Sequence, residues 1–425
     1  SVGFMADGYA RISGKPGVCF VITGPGVTNI LTAMAQARSD SIPMLVISGV
    51  NDLTKNNKKR APLHELPNQA KLIKQVAIAS YTVKKSKNIV KVLHKAFLKM
   101  TLGRPGPVHI QIPIEVMTKS LPKIQAIKPL GYQFSKNGPL ETQQACSIIN
   151  SSSNPCIILG GGARNAKEVL SRFSETLEAP TFSTVNARDL LGHHSLHIPA
   201  SPSLKAVRDL IRGADLVIAL GTEMGQTDYD MYEDGLFPNL KNLIRVDIDK
   251  NQLKQSPVGA VNLRGDVKEF CESILQTITP KKNGNIKEVI KIYKKSIQHE
   301  LPPQYAPCQL LISTIIKTLP DAILVGDSTQ PTYSGNLYCE ISEKNRWFNS
   351  ATGFGTLGYA PPAAIGASLA CPEKPVICIV GDGGLQFSIA ELGTARDELV
   401  PILFLVWNNR EYKEIRTYMQ SQGIN

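Results

Sequence analysis

The sequence predicts an α/β protein made of three doubly wound parallel-sheet domains, and three observations carry that prediction. Short apolar runs end again and again on glycine-rich turns and alternate with helical patterns, the rhythm of βαβ units. Two polar, lysine-bearing stretches, 118–139 and 280–307, divide the chain into parts of domain size. The composition, 42% hydrophobic and 19% charged over 425 residues, is that of a globular chain able to bury several cores.

The first part, 1–120, opens on a helical pattern marked by Phe4, Met5, Tyr9 and Ala10. An apolar run at 18–23 then enters the turn Gly24-Pro25-Gly26, a second run at 44–48 follows Pro43, and a third at 108–112 follows GRPGP. The second part, 138–280, repeats the theme, with 156–159 entering GGGAR, 216–220 entering GTEMG and 243–248 entering Asp249. The third, 300–425, starts with 322–325 entering GDSTQ and continues through a glycine- and alanine-rich stretch at 350–367.

That third part holds the most informative stretch. The apolar run 375–380 closes on Gly381-Asp382-Gly383, a helical pattern with Ala390, Leu392 and Ala395 follows, and a second run, 402–407, closes on Asn408-Asn409. Ligands bind beyond the carboxyl ends of parallel strands, so Asp382 and Asn409 are expected at neighbouring strand ends. One anionic and one neutral oxygen ligand, beside glycine amides and a helix start, suit a Mg²⁺-bridged diphosphate. GDG alone carries little information; GDG and NN at this spacing, each after its own strand, carry a great deal.

Composition excludes several classes. No apolar run reaches the eighteen or so residues that a membrane helix needs, and the opening SVGFMADGYA has no signal-peptide pattern, so neither a membrane partner nor secretion is expected. The eight cysteines are scattered without a CxxC pair and several lie inside apolar runs, which reads as reduced core thiols of a cytoplasmic protein. The net charge of +12 is spread along the chain, and its densest cluster, 281–295, falls in a linker-like helix. Nucleic acid is therefore not an expected partner, and the basic surface favours anionic ligands.

In order, FMADGYARISGKPGV, TGPGVTNI, DSIPMLVISG and GRPGPVHIQIP resemble the pyrimidine-binding domain of the acetolactate synthase-like thiamine diphosphate (ThDP) enzymes. ATGFGTLGYAPPAAIGA and the GDG-to-NN stretch resemble their diphosphate-binding domain, and the middle part their central domain. The resemblance runs nearly end to end. It implies the ThDP decarboxylase type of fold, ThDP and Mg²⁺ as cofactors, a small 2-oxo acid as substrate, and a homodimer or tetramer with active sites at the subunit interface. By resemblance Asp382, Asn409 and the backbone carbonyl of Glu411 would hold Mg²⁺, while Gly383 and Gly384, next to Gly381, would hold phosphate oxygens. Ser328, Thr329 and Gln330 would add phosphate contacts or simply cap a helix. Leu357, in GTLGY, would wedge between the cofactor rings and Gly355 would accept a bond from the cofactor's amino group. The Gly24 to Gly26 turn would bring backbone near the thiazolium or be a plain turn.

His64, beside Glu65 in PLHELPNQ, stands where relatives place polar residues that contact substrate, and would move protons during decarboxylation or be a surface histidine. GTEMGQTDYDMYEDG replaces the Arg- and Asp-containing FAD motif of acetolactate synthases, which weakens the case for FAD. That stretch, with LHELP and GDSTQPTYSGN, resembles the branch that decarboxylates 5-guanidino-2-oxopentanoate, with acetolactate synthesis from two pyruvates as the alternative. Its acidic residues Glu223, Asp228 and Asp230 also fit a solvated loop. The family's ring-activating glutamate would stand just before Ser1, and neither Asp7 nor Glu65 is in register to replace it. These 425 residues alone are therefore expected to be catalytically inactive, as a truncated ThDP-binding protein would be.

Overall fold

The computed structural model describes residues 1–51, 62–121, 138–229, 240–255, 257–282, 284–342 and 346–424. Asp230 and most of the linker expected at 118–139 lie outside them. Among the described residues the strands form three parallel sheets of four, six and four strands. The first holds β1 (Gly17–Val21), β2 (Met44–Val50), β3 (Ala79–Thr82) and β4 (Pro107–Pro113) in the order β1-β2-β4-β3. The second holds β5 (Pro155–Leu159), β6 (Thr181–Ser183), β7 (His197–Ile198), β8 (Leu216–Leu220), β9 (Leu243–Asp247) and β10 (Val261–Arg264) in the order β10-β9-β8-β5-β6-β7. The third holds β11 (Ile323–Gly326) paired with β12 (Arg346–Asn349), and β13 (Val376–Gly381) paired with β14 (Ile402–Trp407). The predicted fold class is the observed one.

By contact density the chain falls into two compact units, one within 1–133 and 350–411, the other within 134–349 and 412–425. In the second unit, β5 and β8 are buried along their whole length because helices cover both faces of their sheet. Alternate residues serve opposite cores. Ile157, Leu159, Ile218 and Leu220 pack with Phe173 and Phe270, whereas Ile158, Val217 and Ala219 pack with Val207, Ile211 and Ile290. Ile290 belongs to the helix Ile286–Glu300, which also buries Ile286 and Ile297. The lysine-rich segment expected to be linker-like is thus part of a core, its lysines on the solvent side of an amphipathic helix.

In the first unit, the helix Val2–Ser13 ends on Gly14 in the left-handed conformation (φ 69°), whose N–H bonds back to the Ala10 carbonyl. This helix lies against Ala360–Ala370, a helix whose described side chains are almost all buried and whose prolines sit in its first turn. Glycine makes the contact possible. A Cβ on Gly8 would lie 2.0 Å from the Ala363 carbonyl oxygen, and one on Gly366 would lie 1.9 Å from that of Met5. The single helix expected between GDG and NN is instead two short ones, Asp382–Gln386 and Glu391–Asp397. Between them Phe387, Ser388 and Glu391 donate to carbonyls three residues back, so the chain tightens and the α-helix stops.

All eight cysteines are free and six are buried. Burial pushes the Cys156 thiol up to about 12, so it packs as a small apolar group. No helix among the described residues is long and apolar enough to cross a membrane.

Candidate active site

β13 and β14 run parallel in a register that ends with Gly381 opposite Trp407. Neighbouring strands lie about 4.8 Å apart, so the segments that begin at Asp382 and Asn408 leave the same sheet edge side by side. Asp382 opens the helix Asp382–Gln386, capped by extended Gly381, so the Gly383 and Gly384 amides fall in a first turn that has no intrahelical acceptor for them. After β14, Asn408 Oδ1 accepts from the Arg410 amide at 3.1 Å and Asn409 Oδ1 from the Glu411 amide at 3.2 Å. These side-chain turns fold the segment back on itself and hold Asn409 next to the Glu411 peptide.

Asp382, Asn409 and the Glu411 carbonyl would offer one carboxylate, one amide oxygen and one peptide carbonyl. Mg²⁺ takes six hard oxygen ligands and keeps places for phosphate oxygens and water, so three protein oxygens of this kind suit a metal that bridges a diphosphate. Among the described residues there is no group of three or more His, Cys, Asp or Glu that could hold a metal by itself. A site at this edge would therefore draw most of its ligands from neutral oxygens and phosphate.

The GTLGY turn packs against the same region. Gly355 (φ 72°) and Gly358 (φ 74°) both adopt the left-handed conformation, and Leu357 between them is half-buried. A Cβ on Gly358 would lie 2.6 Å from Phe387 Cβ and 3.4 Å from the Gly384 carbonyl oxygen. Gly358, next to Leu357 in sequence, thus packs against the segment that follows Asp382.

Gly24 and His64 also meet. Gly24 (φ 66°) caps the helix Pro25–Ser39, and a Cβ there would lie 2.3 Å from the His64 carbonyl oxygen. His64 itself has φ 60°, is half-buried, and is followed by exposed Glu65. Gly26 is pressed on Ile22, where a Cβ would come within 2.9 Å of its side chain. Beneath the Gly24 turn lies a buried polar network that sequence reasoning missed. The Thr23 hydroxyl (2.8 Å) and Gly24 amide (3.2 Å) donate to Gln69 Oε1, and Gln69 Nε2 donates to Ser48 Oγ (3.0 Å) and the Gly49 carbonyl (2.9 Å). Ser48 Oγ pairs with His109 Nε2 at 2.8 Å, and Ser80 Oγ with His109 Nδ1 at 2.9 Å. Burial lowers His109 to about 4, so its ring is neutral. The signal was present as polar Ser48, His109 and Gln111 inside otherwise apolar strands, where each needs a buried partner.

The two acidic residues near the motif differ in setting, one engaged by buried partners and the other exposed. Asp7 is fully buried and accepts from Arg11 Nε at 2.6 Å and from the Tyr359 hydroxyl, while Glu65 faces solvent.

In the second unit, Thr329 occupies the N-cap position of the helix Gln330–Leu337 without a capping bond from its side chain, and the Ser328 amide donates to Asp327 Oδ1 at 2.9 Å. Thr329 and Gln330 are buried and Ser328 is half-buried. In GGGAR, a Cβ on Gly160 would lie 2.2 Å from the Gly221 carbonyl oxygen. The turns after β5 and β8 thus close on each other where the strand order reverses. Glu223 is exposed and Asp228 half-exposed.

Comparison with known proteins matches three consecutive family descriptions to the chain. They are the N-terminal TPP binding domain of thiamine pyrophosphate enzymes at 1–72, the central domain at 142–274 and the C-terminal TPP binding domain at 327–425. A Pseudomonas aeruginosa protein named probable 2-ketoarginine decarboxylase is 37% identical over 439 residues, covering 99% of this chain and 76% of its own. Acetolactate synthase isozyme 1 large subunit of Escherichia coli is 30% identical, with 96% and 73% covered. The Buchnera aphidicola (Schizaphis graminum) acetolactate synthase large subunit is likewise 30% identical, with 95% and 73% covered.

Proposed function

Because the chain belongs to the thiamine pyrophosphate enzyme family, we propose that it serves the ThDP- and Mg²⁺-dependent decarboxylation of a 2-oxo acid, with 5-guanidino-2-oxopentanoate as substrate. The observation that carries this reading is the β13–β14 register, which supports Asp382, Asn409 and the Glu411 carbonyl as joint Mg²⁺ ligands. The substrate follows from the 37% relative named for 2-ketoarginine, the same 5-guanidino-2-oxopentanoate.

The bound cofactor supplies a nucleophilic carbon and a sink for the electron pair that CO₂ leaves behind. The protein's part is binding, bending and proton handling. The Gly383 and Gly384 amides, in the first turn of their helix, would donate to diphosphate oxygens, the anion favoured at a helix start. Leu357, in a turn fixed by two left-handed glycines, would press on the cofactor's rings, and the Gly355 carbonyl would accept from its amino group. His64, seated on Gly24, carries the proton that replaces CO₂ on the substrate carbon. The 2-oxo acid then becomes an aldehyde plus CO₂ with no net oxidation, so the reaction consumes no oxidant. A cytoplasmic homodimer or tetramer is the setting that goes with this reading.

Acetolactate synthesis is the second reading, favoured by the 30% identity to two large subunits. The two are separated by product. CO₂ and aldehyde would be assayed from 5-guanidino-2-oxopentanoate and from pyruvate, with the 425-residue chain and with any native flanking segments restored. Guanidino aldehyde formed only when ThDP and Mg²⁺ are present supports the proposal. Acetolactate from pyruvate with no turnover of the guanidino acid overturns it.

A further inference from the structure

A buried polar cluster in the first unit lies outside the site described above. Arg11, on Val2–Ser13, is held between two carboxylates, Asp7 on its own helix and Asp40 at the end of Pro25–Ser39. Burial alone would lower the Arg11 guanidinium, but the two carboxylates more than offset this and keep it charged. From Asp40 the cluster reaches the GTLGY turn. Asp40 Oδ1 accepts from the Thr352 hydroxyl at 2.7 Å and Asp40 Oδ2 from Gln36 Nε2 at 2.8 Å. Gln36 Oε1 in turn accepts from the Thr356 amide at 3.3 Å and its hydroxyl at 3.0 Å. The orientation of the amide is fixed by this arrangement, because only its NH₂ can face a carboxylate and only its oxygen can face an N–H.

Gln36 is fully buried, so its bonds are made away from competing water. They clasp the turn at both ends of its exposed stretch, Thr352 before Gly353 and Thr356 after Gly355. A Cβ on Gly353 would lie 2.2 Å from Ser39 Oγ, so the same helix also packs directly against the turn. On its far side the turn is stopped by Gly384 and Phe387, through Gly358. Gly355 lies between the two clasped threonines, and Leu357 between Thr356 and Gly358.

We propose that Gln36 and Asp40 are positioning residues that hold the Gly355–Leu357 turn in the place from which it bends the bound cofactor. The inference rests on the ThDP reading of the site, and it predicts a loss that falls on ring recognition and spares the diphosphate. Substituting Asp40 would take one of the two carboxylates from Arg11 and break the Thr352 and Gln36 bonds together, so the test uses Thr356→Val, which nearly keeps volume and removes one hydroxyl, and Thr356→Ser, which restores it.

Two measurements on the full chain decide the matter. In cofactor-free protein, hydrogen exchange of amides 352–358 is expected to quicken about tenfold in Thr356→Val and to match the parent in Thr356→Ser. By calorimetry with Mg²⁺, Thr356→Val is expected to bind ThDP about tenfold more weakly and inorganic pyrophosphate as the parent does. Unchanged exchange in Thr356→Val overturns the inference, and so does an equal loss toward ThDP and pyrophosphate, which marks a purely structural bond. A parent that binds no ThDP refutes the cofactor reading instead, and the exchange comparison alone then decides the clasp.

Discussion

At the scale of single residues, glycine conformation and buried protonation make the sharpest claims. Gly358→Ala must place a Cβ 2.6 Å from Phe387 Cβ at φ 74°, so strain and overpacking act together. A loss of roughly 2–4 kcal/mol is expected in urea denaturation, and a loss below about 0.5 kcal/mol would show that the turn yields freely. Leu357 is only half-buried, so Leu357→Ala should cost less than the roughly 2–5 kcal/mol of a fully buried leucine while still weakening ThDP binding. Equal ThDP affinity in that variant would reduce Leu357 to packing.

The buried histidines make stability depend on pH. Burial lowers His109 to about 4 and His197 to about 3, against about 6.5 in the unfolded chain, so between these values the unfolded state binds more protons. Stability is complete above pH ~6.5, falls as pH drops toward the folded values, and levels off below them; His109 accounts for about 3 kcal/mol of the fall. His109→Gln should therefore flatten the loss of stability between pH 7 and pH 5 without abolishing it, because His197 remains. The same slope as the parent would mean that His109 is not held neutral.

At the scale of elements, the reciprocal glycines of Val2–Ser13 and Ala360–Ala370 define a contact in which backbone meets backbone. Gly8→Ala and Gly366→Ala each drive a methyl to about 2 Å from a carbonyl oxygen, which must separate the helices. Each is expected to lower the unfolding free energy by at least roughly 1–3 kcal/mol, whereas Gly14→Ala, with open space around its Cβ, should cost only the strain of its positive φ. Equal effects at all three positions would contradict the packing account.

The contrast shows what a sequence can and cannot reveal. β5, β8, β13 and β14 were legible because strands in parallel sheets are continuous apolar runs, and the turns that follow them mark where ligands would sit. The helix break at 387–390 and the core role of Ile286–Glu300 were not, because both depend on what the segment meets in space. Of the candidate site, the placement of Asp382 and Asn409 just after two paired strands was legible from the apolar runs that precede them. Gln36, Asp40 and the Gln69–His109 network were not, since a buried glutamine has the same letter as an exposed one and only its partners distinguish them.

At the scale of the molecule, membership of the ThDP family makes one site answer for the function. On the proposed reading its binding needs metal, because a diphosphate set against the Asp382 carboxylate is repelled unless a divalent cation lies between them. ThDP titration by calorimetry, with Mg²⁺ and with EDTA, in the parent and in Asp382→Ala, tests this most directly. The account predicts saturable binding by the parent with Mg²⁺ only, and none by Asp382→Ala in either condition. Equal ThDP affinity with EDTA, or with Asp382 removed, would contradict it.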